Sequence, residues 1–414
     1  MNVSLAVLNN VKVMSIGLKE ALRLTLENIE PLPAKNVALA DCVDRVAASD
    51  LFALVDSPSM DVSRKDGYAV LSREVAGATC VNPVRLQLLG SMAAGGKGDI
   101  QLEPGTTVRV LTGARIPPGA DAVIAEEFTK QEGRHVLIEA PAGTVRNILP
   151  RGGDVASGKR VLQSGRRISP SMAGLLAAAG HSEAPVFKNP VVGIIGTGDE
   201  IVEAGKALKE GELYASNIVT LAGWCNKYKM NPRTAIVKDD YNAILNALKT
   251  FSSETDALIT SGGAWTGDRD MVAQVLEDLG WKKVFHRIRM GPGKAVGFGM
   301  LDKKPVFILP GGPPSNLMGF LQIALPGLLA LCGHVNPGLP GIKARLASKL
   351  KGGDTDWTDF FFGTLEFNGE LPAFHPMQKR SRLNSIAEAA AIISIPEGQD
   401  HLPEGSVAYI QLLT

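Results

Sequence analysis

Along the chain the spacing of hydrophobic and polar positions changes twice. Between residues 31 and 185 the apolar residues come in short runs, such as VRLQLLG, TTVRVLTGA, DAVIAEEF, RHVLIEA and KRVLQSG, broken by Gly and Pro. That rhythm predicts β-rich modules rather than a helical bundle. Longer units then alternate. NPVVGIIGTGDE, RTAIVKDD, DALITSGG and KPVFILPGG read as strands; GELYASNIVTLAGWCNKYKM, YNAILNALKTFSS, RDMVAQVLEDLG and SNLMGFLQIALPGLLALCG read as helices. Such alternation predicts an α/β domain built on a parallel sheet covered on both faces. From about residue 335 short strands return (KARLASKL, FFFGTLEF, AAIISIPE, SVAYIQLLT), which predicts a small β domain. Near the N-terminus Leu18, Ala21, Leu22, Leu24 and Leu26, set among Lys19, Glu20 and Arg23, give an amphipathic helix.

Composition narrows the function classes. A chain of 414 residues exceeds one ordinary core, so about two to four domains are expected. The net charge of +1 argues against a general nucleic-acid binder or a polybasic membrane docker. The first residues lack a basic region and a clean apolar block, so no signal peptide is expected. No apolar run looks long and unbroken enough for a membrane span, and a cytoplasmic protein is expected. Cys42, Cys80, Cys225 and Cys332 lie far apart without a CxxC pair, which favours reduced thiols. The six histidines show no HExxH spacing, which argues against catalytic zinc.

Ligands of an open parallel sheet bind beyond the carboxyl ends of its strands. Those ends carry GTGDE (196–200), KDD (238–240), SGGAWTGDRD (261–270) and LPGGPPSN (309–316). Glycines let a backbone approach a ligand, and the N–H groups of a following helix favour an anion such as phosphate. Asp199, Glu200, Asp239, Asp240, Asp268 and Asp270 gather in the same loops. Each alone is better explained as a helix N-cap or first-turn acid. Together, beside a phosphate, they call for a hard cation such as Mg2+.

SRKDGYAV (63–70), LTGARIPPGADAVIAEE (111–127), RNILPRGGDVASG (146–158), GTGDEIVEAG (196–205), TSGGAWTGDRDMV (260–272), GPGKAVGFG (291–299) and LPGGPPSN (309–316) occur in the order of the MoeA/gephyrin E-domain family. The chain resembles these molybdopterin molybdenumtransferases over nearly its whole length. The resemblance implies an elongated, multidomain α/β homodimer with four domains per subunit. They would be a linker β domain (31–55 and 147–184) and a β-rich domain (56–146) facing the partner's site. A doubly wound, MogA-like α/β domain (14–30 and 185–333) and a C-terminal β-barrel (334–414) would complete it. It implies insertion of molybdate into adenylylated molybdopterin with release of AMP, dependent on Mg2+. Contacts with the molybdopterin adenylyltransferase and with acceptor molybdoenzymes are implied too.

By the same resemblance Asp66, Glu200, Asp239, Asp270 and Lys294 are candidate catalytic residues, with Glu200 and Asp270 holding the metal. Thr112, Asp154, Thr197, Gly198, Ser261, Gly262, Gly263, Gly267, Pro310, Gly311, Ser315 and Ser381 are candidate cofactor-binding residues. The chain also departs from the family's pattern. Arg64 and Lys65 precede Asp66, Gly291 and Gly312 stand where the family has a lysine and an asparagine, and Phe361 or Phe362 replaces an arginine. Trp265 replaces a small residue. Restoring a lysine at 291 is therefore expected to tighten molybdate binding. The lost lysine and arginine keep open a paralogue that inserts tungstate or only binds the pterin. A non-catalytic dimeric scaffold is a third reading, against which the retained Asp66, Asp154, Glu200, Asp239, Asp270 and Lys294 count.

Overall fold

The computed structural model describes residues 15–96, 100–262, 271–377 and 382–413. The chain divides into two compact units, Asn36–Val186 and a second comprising the N-terminal residues to Lys35 with Phe187–Thr414. In the first unit a six-stranded sheet runs in the order Ala122–Ala125, Gly67–Val70, Thr106–Val110, Val84–Met92, His135–Ile138, Thr129–Glu132. Tyr68, Val70, Leu86, Ile124, Val136 and Ile138 form the core of one face, and Ala69, Val108, Val110 and Val123 that of the other. The two clusters follow from the period-2 alternation of strand side chains.

The second unit holds the layered domain. Its strands and helices are β1 (Val191–Thr197), α1 (Ser216–Lys227), β2 (Asn231–Val237), α2 (Tyr241–Glu254), β3 (Ala257–Ser261), α3 (Met271–Asp278), β4 (Lys282–His286), β5 (Gly297–Leu301) and β6 (Lys304–Leu309). The sheet order is β2-β1-β3-β6-β5-β4. Four strands are parallel, but β5 runs antiparallel to β6 and β4 antiparallel to β5, so the sheet is mixed. The sequence reading missed this edge because KKVFH and GFGML are short and carry no helix between them. The segment GELYASNIVTLAGWCNKYKM also starts as a strand, Leu213–Tyr214, before α1 begins.

Alternation within the strands feeds two cores. Ile194, Ile259 and Phe307 face α1 and the long helix after β6, whereas Ile195, Leu258, Val306 and Ile308 face α2 and α3. That long helix, Pro313–Leu331, is long and apolar enough to cross a membrane, contrary to the reading that no run was unbroken enough. Pro326 does not interrupt it. A π-helical stretch, Phe320–Ala324, precedes the proline and absorbs the missing backbone donor. With 83 % of its apolar window buried in the fold, this is a core helix.

The chain ends in a closed five-stranded barrel. Thr358–Glu366 pairs with Ala373–Pro376, that strand with Gly341–Leu346, that with Val407–Leu412, and that with Ala391–Ile395, which returns to Thr358–Glu366. Ala344, Leu346, Phe374, Ile393, Ile395 and Ile410 fill it. A strand from the layered domain, Ile288–Gly291, pairs with the barrel in parallel and sets Gly291 opposite Asp359. All four cysteines are free.

Candidate functional site

Register gathers the strand ends at one edge. Thr197 pairs with Val237, Gly196 with Ser261, and Ser261 with Leu309, so β1, β2, β3 and β6 all finish together. In the order β2-β1-β3-β6 the order in which strands are added reverses between β1 and β3, the position where open sheets leave a crevice. Thr197, Gly198, Glu200, Asp239, Ser261, Gly262, Pro310, Gly311 and Ser315 are thereby brought to this edge. Gly263, Gly267, Trp265, Asp268, Asp270 and Ser381 lie outside the described residues.

Gly262 turns the chain with φ +99°, and a Cβ there would sit 2.4 Å from the Thr197 carbonyl oxygen. Only glycine fits this close approach. Beneath it the Thr197 hydroxyl is buried with no hydrogen-bond partner among the described residues. A buried polar group without a partner costs about 1–3 kcal/mol, so a ligand that supplied one would be favoured here. Ser261 is held by two side chains that sequence reasoning missed. The Asn316 amide NH2 donates to Ser261 Oγ (2.9 Å) and to the Pro310 carbonyl (2.9 Å). The Asn217 NH2 donates to the same Oγ (3.3 Å) and to the Gly311 carbonyl (2.8 Å). In the sequence both asparagines look like ordinary helix-start residues; only the fold shows that their amides converge.

The acids divide. Asp240 is the N-cap of α2, its carboxylate accepting from the Ala243 N–H at 2.8 Å. That leaves Asp199, Glu200 and Asp239. Asp239 is exposed as a residue, yet local packing desolvates its carboxyl, and the charges of Asp199 and Glu200 add to this. Its pKa is held above the usual carboxylate value. Among the described residues no group of three or more His, Cys, Asp or Glu side chains forms a metal cage.

Lys294 holds its ammonium 5.5 Å from the centre of the Trp357 ring. Beside the loop after β6 lies a cavity of about 630 Å3, lined by Gly312, Pro314 and Ser315 on one side. The barrel supplies Asp359, Phe361, Phe362 and Met377, and Gly291 forms part of the wall. Three departures from the family's pattern, at Gly291, at Gly312 and at Phe361 or Phe362, thus meet in one space. Lys351 and Arg382 also line it. These cations were missed because they lie on the short strand Leu350–Lys351 and at the start of the helix Arg382–Glu388, far along the chain from any Gly-rich loop.

The expectation for a lysine at 291 changes. A Cβ there would lie 2.5 Å from Asp359 Oδ1, and Asp359 is anchored by the Gly353 N–H at 2.6 Å. Gly291→Lys is expected to lower the unfolding free energy by about 1–3 kcal/mol through overpacking, read as a drop in the urea midpoint. An unchanged midpoint would show that Asp359 moves aside freely.

In the first unit Asp66 and Thr112 form a pair. The Asp66 carboxylate accepts from the Thr112 N–H (2.6 Å) and hydroxyl (2.8 Å). These bonds, led by the backbone one, hold its pKa below the usual value. Asp154 is exposed on the following turn, its own N–H donating to the Ser57 carbonyl at 3.0 Å.

Comparison with known proteins gives a consistent picture. Two family models match: MoeA N-terminal region (domain I and II) over residues 16–180, and Probable molybdopterin binding domain over residues 193–330. The molybdopterin molybdenumtransferase of Bacillus subtilis (strain 168) is 30% identical over 384 residues, covering 91% of this chain and 89% of its own. Molybdopterin molybdenumtransferase 2 of Mycobacterium tuberculosis (strain CDC 1551 / Oshkosh) is 30% identical over 410 residues, covering 96% and 100%. The crystal structure of the molybdopterin biosynthesis moeA protein from Pyrococcus horikoshii OT3 superposes with a TM-score of 0.83 at 28% identity, covering 96% of this chain and 100% of that one.

Proposed function

The chain belongs to the molybdopterin molybdenumtransferase family, and from that premise we propose that it inserts molybdate into adenylylated molybdopterin and releases AMP. The observation that carries this reading is the common edge of β1, β2, β3 and β6. There the unpartnered Thr197 hydroxyl, the Ser261–Gly262 turn and the acids Asp199, Glu200 and Asp239 face one crevice. In the overall exchange the two dithiolene thiols displace one oxo group of molybdate as water. The equivalent of that water opens the phosphoanhydride, and AMP leaves with its phosphate.

Mg2+ takes oxygen ligands, and with a phosphorylated substrate it needs only one or two protein carboxylates. The crowded acids therefore fit it without a full cage. Glu200 and Asp239, with Asp270 as a further candidate, would hold the ion, which supplies charge neutralisation at the anhydride. Thr197, Ser261 and the Gly262 backbone orient the phosphate, and Gly311 keeps the floor of the crevice open. In the cavity Lys351 and Arg382 attract the divalent oxyanion, while Phe361 and Phe362 exclude water.

We further assign the working form as a homodimer in which Asp66 and Thr112 serve the partner's edge, as the resemblance implies. Four free thiols suit a reducing, cytoplasmic compartment. The direct test incubates the purified protein with adenylylated molybdopterin, Mg2+ and either molybdate or tungstate, and follows AMP. Release with molybdate is expected. No release with either oxyanion would remove the assignment, and release with tungstate alone would change the metal.

Neutralising both cavity cations should show in the oxyanion dependence. Lys351→Ala with Arg382→Ala is expected to raise the molybdate concentration for half-maximal AMP release about tenfold or more, since charge-assisted bonds are worth about 1.5–3 kcal/mol. An unshifted molybdate curve would take the oxyanion out of this cavity.

A further inference from the structure

We infer that Asn316 and Asn217 lock the Ser261 hydroxyl as a one-way donor to an oxygen of the substrate's phosphate, which makes Asn316 a positioning residue for the reaction. The inference rests on the phosphate reading of this edge given above. Both amide orientations are fixed by carbonyls, which only accept. The Asn316 NH2 meets the Pro310 carbonyl and the Asn217 NH2 meets the Gly311 carbonyl, so neither side chain presents its oxygen to Ser261. Each NH2 spends its other hydrogen on Ser261 Oγ.

A hydroxyl has two lone pairs and one hydrogen. With both lone pairs engaged, Ser261 has only its O–H left to give. Among the described residues no hydrogen bond uses that proton. Ser261 is 5% exposed and Asn316 1%, so water does not readily rotate the group. Ser261 is the last residue of β3, next to Gly262 and paired in register with Gly196, the residue before Thr197. The buried, unpartnered Thr197 hydroxyl belongs to the neighbouring strand end, one residue past the position paired with Ser261 and so on the other face of the sheet. A phosphate oxygen only accepts, so a donor that cannot turn round suits it.

The arrangement also accounts for a departure from the family's pattern. Gly312 removes an amide from the loop after β6, and Asn316, in the first turns of the helix that follows, returns one to that loop from beneath. It does so while crossing to β3.

Asn316→Asp is the deciding variant. It keeps the shape but sets an oxygen against Ser261, which then captures the hydroxyl proton. Relative to the parent protein, Asn316→Asp and Ser261→Ala should each raise KM for adenylylated molybdopterin about tenfold, the scale of one hydrogen bond to a charged group, with kcat little changed. The double variant should be no worse than Ser261→Ala alone, because Asn316 acts through that hydroxyl. Asn316→Ala, with thermal midpoints measured for all variants, separates this from a folding defect. Titration calorimetry with adenylylated molybdopterin, without molybdate, reads binding apart from turnover. A parent protein that binds but releases no AMP would remove the proposed function alone, and weaker binding by the variants would still uphold the inference. Variants with parental KM and affinity, or additive losses in the double variant, would overturn the inference while leaving the function standing. A parent that does not bind the pterin overturns both.

Discussion

Asp239→Asn is expected to raise the thermal midpoint at neutral pH while cutting AMP release about a hundredfold, a stability–activity trade at a single carboxylate. The sign follows from the direction of its titration. Desolvation, then Asp199 and Glu200, hold the folded carboxyl above its ordinary value. Between the unfolded and folded pKa values the folded state retains a proton that the unfolded chain has lost. Stability therefore falls as pH rises through the folded value, and that loss is complete above it. Asparagine carries no charge to repel, so its advantage should be full at neutral pH and vanish below the carboxylate range. Mg2+ should raise the midpoint of the parent more than that of the variant, because the ion relieves the same repulsion. A variant that is less stable at pH 7 than the parent would remove Asp239 from the crowded set.

Mixing two inactive chains is expected to restore about a quarter of the parental AMP release, if each crevice is completed by the other subunit. One chain carries Asp66→Asn and the other Glu200→Gln. After exchange at equal concentration about half of the dimers are mixed, and each mixed dimer has one site with both residues intact and one with neither. Asp66 holds Thr112 through two hydrogen bonds, so the midpoint of the Asp66→Asn chain must be checked before mixing. If the mixture releases no more AMP than its parents, the Asp66–Thr112 loop does not serve the partner's crevice. A sedimentation profile of monomers alone would remove the shared site altogether.

The layered domain was legible because each of its buried strands is a continuous apolar run ending in Gly or acid. VVGIIGT and ALITS became β1 and β3 without ambiguity. The antiparallel pair β4 and β5 was not, since KKVFH alternates weakly and GFGML is mostly glycine and methionine. The site was readable in the same uneven way. Glycines and acids announce a strand end, so Thr197, Glu200, Ser261 and Gly262 stood out. Asn217 and Asn316 did not, because an amide's worth depends on which two atoms it bridges, and those come from residues 44 to 94 positions away for Asn217 and 55 for its counterpart's bond to Ser261. Asp240 shows the converse. It shares its loop with Asp239, and only the bond to the Ala243 N–H separates a helix cap from a ligand candidate. The aliphatic stretch 313–331 misled for another reason: Pro326 reads as a break, whereas a widened turn carries the helix through it.

One strand has a consequence for how this architecture can be taken apart. Ile288–Gly291 is threaded between β4 and β5 in the chain, yet it bonds to Ile16–Gly17 on one side and to the barrel on the other. No cut before residue 334 or after it yields two self-contained pieces. Excising the terminal barrel would bare the open flank of that strand, and a bare flank recruits neighbours. Layered fold and barrel are stitched together through that one strand, so deleting the barrel is expected to cost the layered fold solubility as well.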